Sequence, residues 1–285
     1  MTTLDSFRLD GARILVTGAS RGIGRAVAFA LAEAGAHLAL SARTAEALKE
    51  SADRIGALGP APVLAPGDLA EPSRAAEVVD TAAALLGGLD GVVHNAGILP
   101  TAADGSPLLL PLQLLPEAAW QEVVAVNLNA TAAVCRQAHR HLAAAGGGSL
   151  LLMSSVAGVI GAPLLEAYAA TKAAQISLAR SLAAGWARQG IRVNALCPGW
   201  TRTDLTSFAH AEGPLNDWLL AHVPLGRWAE PAEVAAAALF LLSPAAGYLT
   251  GHALLLDGGL SVPDGGLAGI PKPAPPFGAV PEREG

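Results

Sequence analysis

Thr17-Gly18-Ala19-Ser20-Arg21-Gly22-Ile23-Gly24 is the stretch on which the reading of this chain turns. An apolar run, Arg13–Thr17, leads into it, and apolar residues at helical spacing from Ile23 to Ala34 leave it, so the glycines stand between a strand and a helix. Gly18 permits the tight turn, Gly22 lets the backbone approach a pyrophosphate, and Gly24 lets the helix pack close to the sheet. The first turn of that helix offers free N–H groups to an anion. Gly18, Ser20, Arg21, Gly22, Ile23 and Gly24 therefore read as the cradle of a dinucleotide.

The alternation continues outward. Short β-type runs follow at His37–Ser41, Pro62–Ala65, Gly91–His94, Ser149–Met153, Arg192–Leu196 and Ala253–Leu256. Helical patterns fill the gaps at Pro72–Leu86, Pro116–Ala143, Leu165–Arg188 and Pro231–Leu242. The runs are almost continuously apolar, as strands buried on both faces are. The expectation is an α/β fold: one Rossmann-type, doubly wound parallel sheet of about seven strands with helices on both faces. Residues 1–262 form one dinucleotide-binding and catalytic domain in this reading. The last stretch, 263–285, with Pro263, Pro271, Pro273, Pro275, Pro276 and Pro281, reads as a separate tail.

Composition narrows the function. Of 285 residues, 52% are hydrophobic, and 18 basic against 24 acidic side chains give a net charge of −6, which offers no basic surface for nucleic acid. No stretch approaches the roughly 18 apolar residues of a membrane span. Cys135 and Cys197 stand in neither a disulfide framework nor a metal-ligand spacing, so a reducing, cytoplasmic compartment and no metal are expected. Tyrosine and lysine are scarce, with Tyr168 and Tyr248 against Lys49, Lys172 and Lys272. Yet Tyr168 and Lys172 stand four apart on one predicted helix, where both project from the same face. An ammonium beside a phenol favours the phenolate and lowers a pKa otherwise near 10, which suits Tyr168 to proton transfer.

The glycine spacing, TGxxxGxG, resembles that of the short-chain dehydrogenase/reductase family. Further marks follow in the family's order: Asp68-Leu69, Asn95-Ala96-Gly97, Asn127, Ser155, Tyr168 with Lys172, Pro198-Gly199 and Asp257-Gly258-Gly259. The resemblance covers Gly11 to about Val262; His94 departs from it, standing where the family usually has a second asparagine. It implies hydride transfer between a nicotinamide cofactor and a ketone or secondary alcohol, with Tyr168 as general acid/base. Ser155, rather than Ser154, is implied to hold the substrate oxygen, and Asn127 to help hold a water that links Lys172 to solvent. Lys172 is further implied to bind the nicotinamide ribose. Asp68, Leu69 and Asn95-Ala96-Gly97 are implied to meet the adenosine side, and Pro198, Gly199, Thr201 and Thr203 the nicotinamide end. A homotetramer is implied as well.

The position eighteen residues past Gly24, where NAD-preferring relatives carry an acid, is Ala42, and Arg43 follows. With Arg21, Arg43 suits a 2′-phosphate, so NADP(H) is expected ahead of NAD(H). A substrate loop is expected at about 200–224. Its Trp200, Leu205, Phe208, Trp218, Leu219 and Leu220, with Leu108–Leu110, would line an apolar pocket for a neutral ketone or alcohol. The overall pattern also resembles 3-oxoacyl-[acyl-carrier-protein] reductases. However, Ser181-Leu182-Ala183 is followed by uncharged Ala184-Gly185, which leaves Arg136 and Arg140 as the basic residues for an acidic carrier. A non-catalytic NADP(H) sensor is the reading of another class, and it predicts a damaged Ser155, Tyr168 and Lys172 set.

Overall fold

The computed structural model describes residues 2–102 and 104–262, with the isolated positions 269 and 276. The expected tail, 263–285, lies almost wholly outside the described residues. Among the described residues, seven parallel strands form one sheet in the order β3-β2-β1-β4-β5-β6-β7. They are β1 (Arg13–Thr17), β2 (His37–Ser41), β3 (Val63–Leu64), β4 (Gly91–His94), β5 (Gly148–Met153), β6 (Ile191–Pro198) and β7 (Ala253–Leu256). The helices are α1 (Gly22–Glu33), α2 (Lys49–Gly56), α3 (Pro72–Leu86), α4 (Glu117–Val124), α5 (Ala130–Ala144), α6 (Glu166–Trp186), α7 (Ser207–His210), α8 (Pro214–Leu220) and α9 (Pro231–Leu242).

The two-residue period of the strands sorts the core into two layers. Ile14, Val16, Val93 and Leu151 meet α1 and α9 on one face. Leu15, Val92, Leu150 and Leu152 meet α3, α5 and α6 on the other. Each strand is thus apolar on both sides, which is why the runs show no polar alternation.

Two departures from the sequence reading have local causes. The segment expected as one helix over 116–143 is α4 and α5 joined by a π-helical turn at Ala125–Asn129. The wide turn frees backbone and places Asn127, fully buried, against the loop after β4. Helix α2 escaped the periodicity because it is short and largely polar, with Leu48 just before it and Ile55 as its apolar anchors. No helix among the described residues is long and apolar enough to cross a membrane.

Candidate active site

β1 and β4 are adjacent, yet the chain leaves them toward opposite edges of the sheet, which opens a crevice beyond their carboxyl ends. Thr17 Oγ1 organises it. The oxygen accepts from the backbone N–H groups of Asn95 (3.1 Å) and Ala96 (3.2 Å), and its own hydrogen is left for His94 Nδ1 at 3.1 Å. Asn95 Nδ2 in turn donates to the Gly18 carbonyl at 3.2 Å. Gly18 has φ +66°, and a Cβ on Gly24 would stand 2.1 Å from the Gly18 oxygen, so both glycines are required for the turn to close. No side chain caps the start of α1. Its first N–H groups are therefore available to a pyrophosphate, and the cradle fits the dinucleotide expected there.

The flanking residues are placed as follows. Ser20 gives its carbonyl to Arg25 at 2.9 Å, and Ile23 faces the cavity described below. Arg21 reaches across the crevice to Asp204 Oδ2 at 3.4 Å, both groups being exposed. Arg43 is exposed and engages no hydrogen-bond or ionic partner among the described residues, while Ala42 packs into the core. Asp68 Oδ1 accepts from Ala70 N–H at 3.0 Å in a turn, and Leu69 buries its side chain, leaving only its backbone for a ligand. Pro198 ends β6, and a Cβ on Gly199 would come 2.7 Å from Asp257 Cα. Thr201 is buried with its hydroxyl on the Gly199 carbonyl at 3.1 Å. Thr203 caps the turn at Asp204–Thr206 and faces Gly22, where a Cβ would touch it at 3.4 Å.

At the end of β5 the two serines separate. Ser154 Oγ donates to the Lys172 carbonyl at 2.8 Å and is spent there. Ser155 caps the turn Val156–Gly158, accepts from Ala157 N–H at 3.2 Å, and hydrogen-bonds Tyr168. Tyr168 and Lys172 share one face of α6, with Nζ 5.5 Å from the phenol ring centre. Nζ donates to the Met153 carbonyl at 2.6 Å and to Gln175 Oε1 at 3.2 Å.

Burial pushes the Tyr168 phenol up to about 12, against a hydrogen bond from Ser155 that lowers it. The sequence reading, in which Lys172 sets the phenol low, is corrected here: low-dielectric surroundings dominate, and the ammonium spends its bonds on Met153 and Gln175. Burial also pulls Lys172 down to about 8. Asn127 Oδ1 accepts from Ile98 N–H at 2.8 Å, and its Nδ2 donates to the Ile98 carbonyl at 2.9 Å and to Thr171 Oγ1 at 3.3 Å. The amide thus fastens the loop after β4 to α6.

Ser155 and Tyr168 open onto a cavity of about 420 Å3. Trp200, Leu205, Phe208, Trp218 and Leu219 line it as expected, but of Leu108–Leu110 only Leu109 does, and Leu220 turns away to pack within its own segment. An extended loop shows one face to a cavity at a time, so alternate leucines are lost from the lining. Sequence reading missed residues 160–165, where Leu164 takes φ +68°, and it missed His222, whose Nδ1 bonds the Trp218 carbonyl at 2.6 Å. It also missed Gln175, although the i, i+3 spacing from Lys172 carried the signal.

Three comparisons bear on this site. A family model described as "Enoyl-(Acyl carrier protein) reductase" matches residues 18–261. The chain is 40% identical to a galactitol 2-dehydrogenase (L-tagatose-forming) of Cereibacter sphaeroides, over 90% of this chain and 97% of that protein. It is 38% identical to a cis-4-hydroxycyclohexanecarboxylate dehydrogenase of Sinomonas cyclohexanicum, over 86% of this chain and 94% of that one. The crystal structure of a gluconate 5-dehydrogenase from Burkholderia cenocepacia J2315, in complex with NADP and tartrate, superposes with a TM-score of 0.85 at 37% identity. That match covers 92% of this chain and all of the other.

Proposed function

The chain belongs to the short-chain dehydrogenase/reductase family and is an NAD(P)-dependent oxidoreductase acting on CH–OH groups; from that premise we propose that it interconverts neutral, largely apolar ketones and secondary alcohols, using NADP(H). The observation that carries the substrate class is the cavity wall. Trp200, Phe208, Trp218, Leu109 and Leu164 close around the point where Ser155 and Tyr168 meet, and among the described residues Lys172 is the only lysine or arginine that lines it. Such walls favour desolvated apolar groups.

In this reading the uncapped start of α1, with Gly18, Ser20, Gly22, Ile23 and Gly24, holds the pyrophosphate, and Arg43 with Arg21 holds the 2′-phosphate. Asp68, Leu69, Asn95, Ala96 and Gly97 border the adenosine, while Lys172, Pro198, Gly199, Thr201 and Thr203 border the nicotinamide end. The cofactor supplies or accepts the hydride. Ser155 donates a hydrogen bond to the substrate oxygen, and its pull strengthens as negative charge grows there. Tyr168 gives its proton to that oxygen in reduction and takes one in oxidation. Lys172 holds positive charge below the phenol, and Asn127 fixes the turn beside it. We further propose a homotetramer in the cytoplasm. Leu255, exposed on the edge strand β7, and two free, buried cysteines support these two readings.

Polyol or sugar-acid oxidation is the second reading, favoured by the activities of the Cereibacter and Burkholderia proteins. Carrier-bound 3-oxoacyl thioesters are a third, for which Arg136 and Arg140 are exposed on α5. Initial rates with cyclic and aryl ketones, galactitol, gluconate and a carrier thioester, each with NADPH and NADH, separate them. The proposal expects kcat/KM at least tenfold higher for the apolar ketones with NADPH. A higher value for a polyol, sugar acid or carrier substrate overturns it.

A further inference from the structure

We propose that Gln175 is a positioning residue for the reaction: its amide, locked by Asn127 and Thr131, holds the Lys172 ammonium beside Tyr168. The proposal rests on the proton-transfer reading of Tyr168 and Lys172, and it concerns a residue outside the motif set that suggested that reading.

Gln175 sits three residues past Lys172 on α6 and is fully buried. Its Nε2 makes two bonds, donating to the Asn127 carbonyl at 2.9 Å and to Thr131 Oγ1 at 2.9 Å. Thr131 spends its own hydrogen on the same Asn127 carbonyl at 2.7 Å, so its oxygen is left to accept. These bonds fix which end of the amide is which. Rotated by half a turn, Gln175 would set an oxygen against a carbonyl oxygen and an NH2 against an ammonium. Only one orientation satisfies every partner, and in it Oε1 faces Lys172 Nζ at 3.2 Å.

The charge inventory shows why this matters. Among the described residues, the titratable groups that act on or face Lys172 are Tyr168 on its own helix, Cys197 on β6 and His94 on β4, and no carboxylate is among them. The buried ammonium is held by two neutral acceptors, the Met153 carbonyl and Gln175 Oε1. Its third hydrogen remains for the crevice side, where a Cβ on Gly97 would stand 3.3 Å from Nζ. Removing Oε1 takes away half of the support for the charged form, and burial then drives Lys172 further toward neutrality.

Lysine supplies a direct readout, because the chain has only three: Lys49, Lys172 and Lys272. Protein labelled at lysine Cε is titrated by carbon NMR, with Lys172→Met identifying the Lys172 signal. Gln175→Met is expected to lower the Lys172 midpoint by at least half a pH unit, and Thr131→Val to lower it by less. Kinetically, Gln175→Met is expected to lower kcat severalfold with little change in the KM for cofactor. An unmoved Lys172 midpoint in folded Gln175→Met overturns the proposal. If that variant does not fold, Thr131→Val decides: a lowered midpoint supports the proposal, and an unmoved one overturns it. The outcome is separable from the functional reading, since full turnover by Tyr168→Phe would sink proton transfer by Tyr168 whatever the lysine titration gives.

Discussion

Arg21 Nη1 lies 3.4 Å from Asp204 Oδ2, and this contact ties the glycine turn to the segment that walls the cavity. Both groups are exposed, so the pair contributes little to stability and is easily exchanged. A 2′-phosphate that recruits Arg21 must compete with Asp204. Asp204→Asn is therefore expected to lower the Kd for NADPH two- to fivefold and leave that for NADH unchanged. Fluorescence titration with both cofactors checks it.

Arg43 has no such competitor among the described residues. Arg43→Ala is expected to reduce the NADPH-over-NADH ratio of kcat/KM at least tenfold, about 1.4 kcal/mol, through loss of the phosphate contact. An unchanged ratio in steady-state kinetics would refute the assignment to NADP(H).

Burial holds the Tyr168 phenol near 12, so at neutral pH it keeps its proton, as the proposed role of donor in reduction requires. Alcohol oxidation needs the phenolate, whose fraction rises up to tenfold per pH unit below that midpoint. Oxidation rates are expected to climb from pH 7 to 10, whereas ketone reduction is expected to stay nearly flat between pH 6 and 8. Tyr168→Phe should bind cofactor normally and lose at least a thousandfold in kcat. Pre-steady-state rates in both directions test this.

Lys172 carries a cost that can be measured separately. Its midpoint in the folded protein is pulled down to about 8 from an ordinary 10.5, so between those values the unfolded chain binds more protons than the folded one. The Lys172 contribution to stability is therefore expected to rise with pH from about 8 to 10.5, by up to roughly 3 kcal/mol, and to be flat below 8. Above about 9 the raised thiols of Cys135 and Cys197 and the Tyr168 phenol work against it, so it is read as the difference between the native protein and Lys172→Met. In Lys172→Met this contribution disappears, and the variant is expected to be more stable than the native protein at pH 7 although inactive, the gap closing toward pH 10.5. Urea melts across pH 7–10.5 supply the comparison.

Leu164 is the one non-glycine among the described residues with a positive φ, at +68°, and it lines the cavity. Holding a leucine there costs on the order of 1 kcal/mol. Leu164→Gly is expected to change stability by less than about 1 kcal/mol, relief of strain offsetting lost packing. The KM for apolar ketones should still rise severalfold. Thermal melts and ketone kinetics on one preparation test both parts.

How much of this was legible in sequence depended on the range of the cause. Ile14, Leu15 and Val16 alternate between two apolar layers, and that burial writes itself into consecutive residues, so β1 and β4 were found to the residue. Gly18 and Gly24 were legible because a Cβ at either collides with atoms of the same turn or of the loop beside it. The π-helical turn at Ala125–Asn129 left no periodic trace, since what holds it is Asn127 reaching Ile98, twenty-nine residues away. Gln175 shows the same limit: its partners Asn127 and Thr131 stand on another helical segment. The pKa of Tyr168 was misjudged because sequence shows a neighbouring charge but not the dielectric around it.

The wall segment keeps its own small core, in which Ala209, Leu219 and Trp228 are buried and Trp228 is pinned by a bond from Nε1 to Asn216 Oδ1 at 2.8 Å. Trp200 meets Trp228 edge-on at 5.5 Å. The residues that wall the cavity thus pack among themselves, on a different segment from Ser155, Tyr168 and Lys172. On the proposed reading, exchange of Phe208 or Trp218 is expected to retune which substrates are admitted without disturbing Ser155, Tyr168 or Lys172, which makes this segment the natural ground for drift in selectivity at constant reaction.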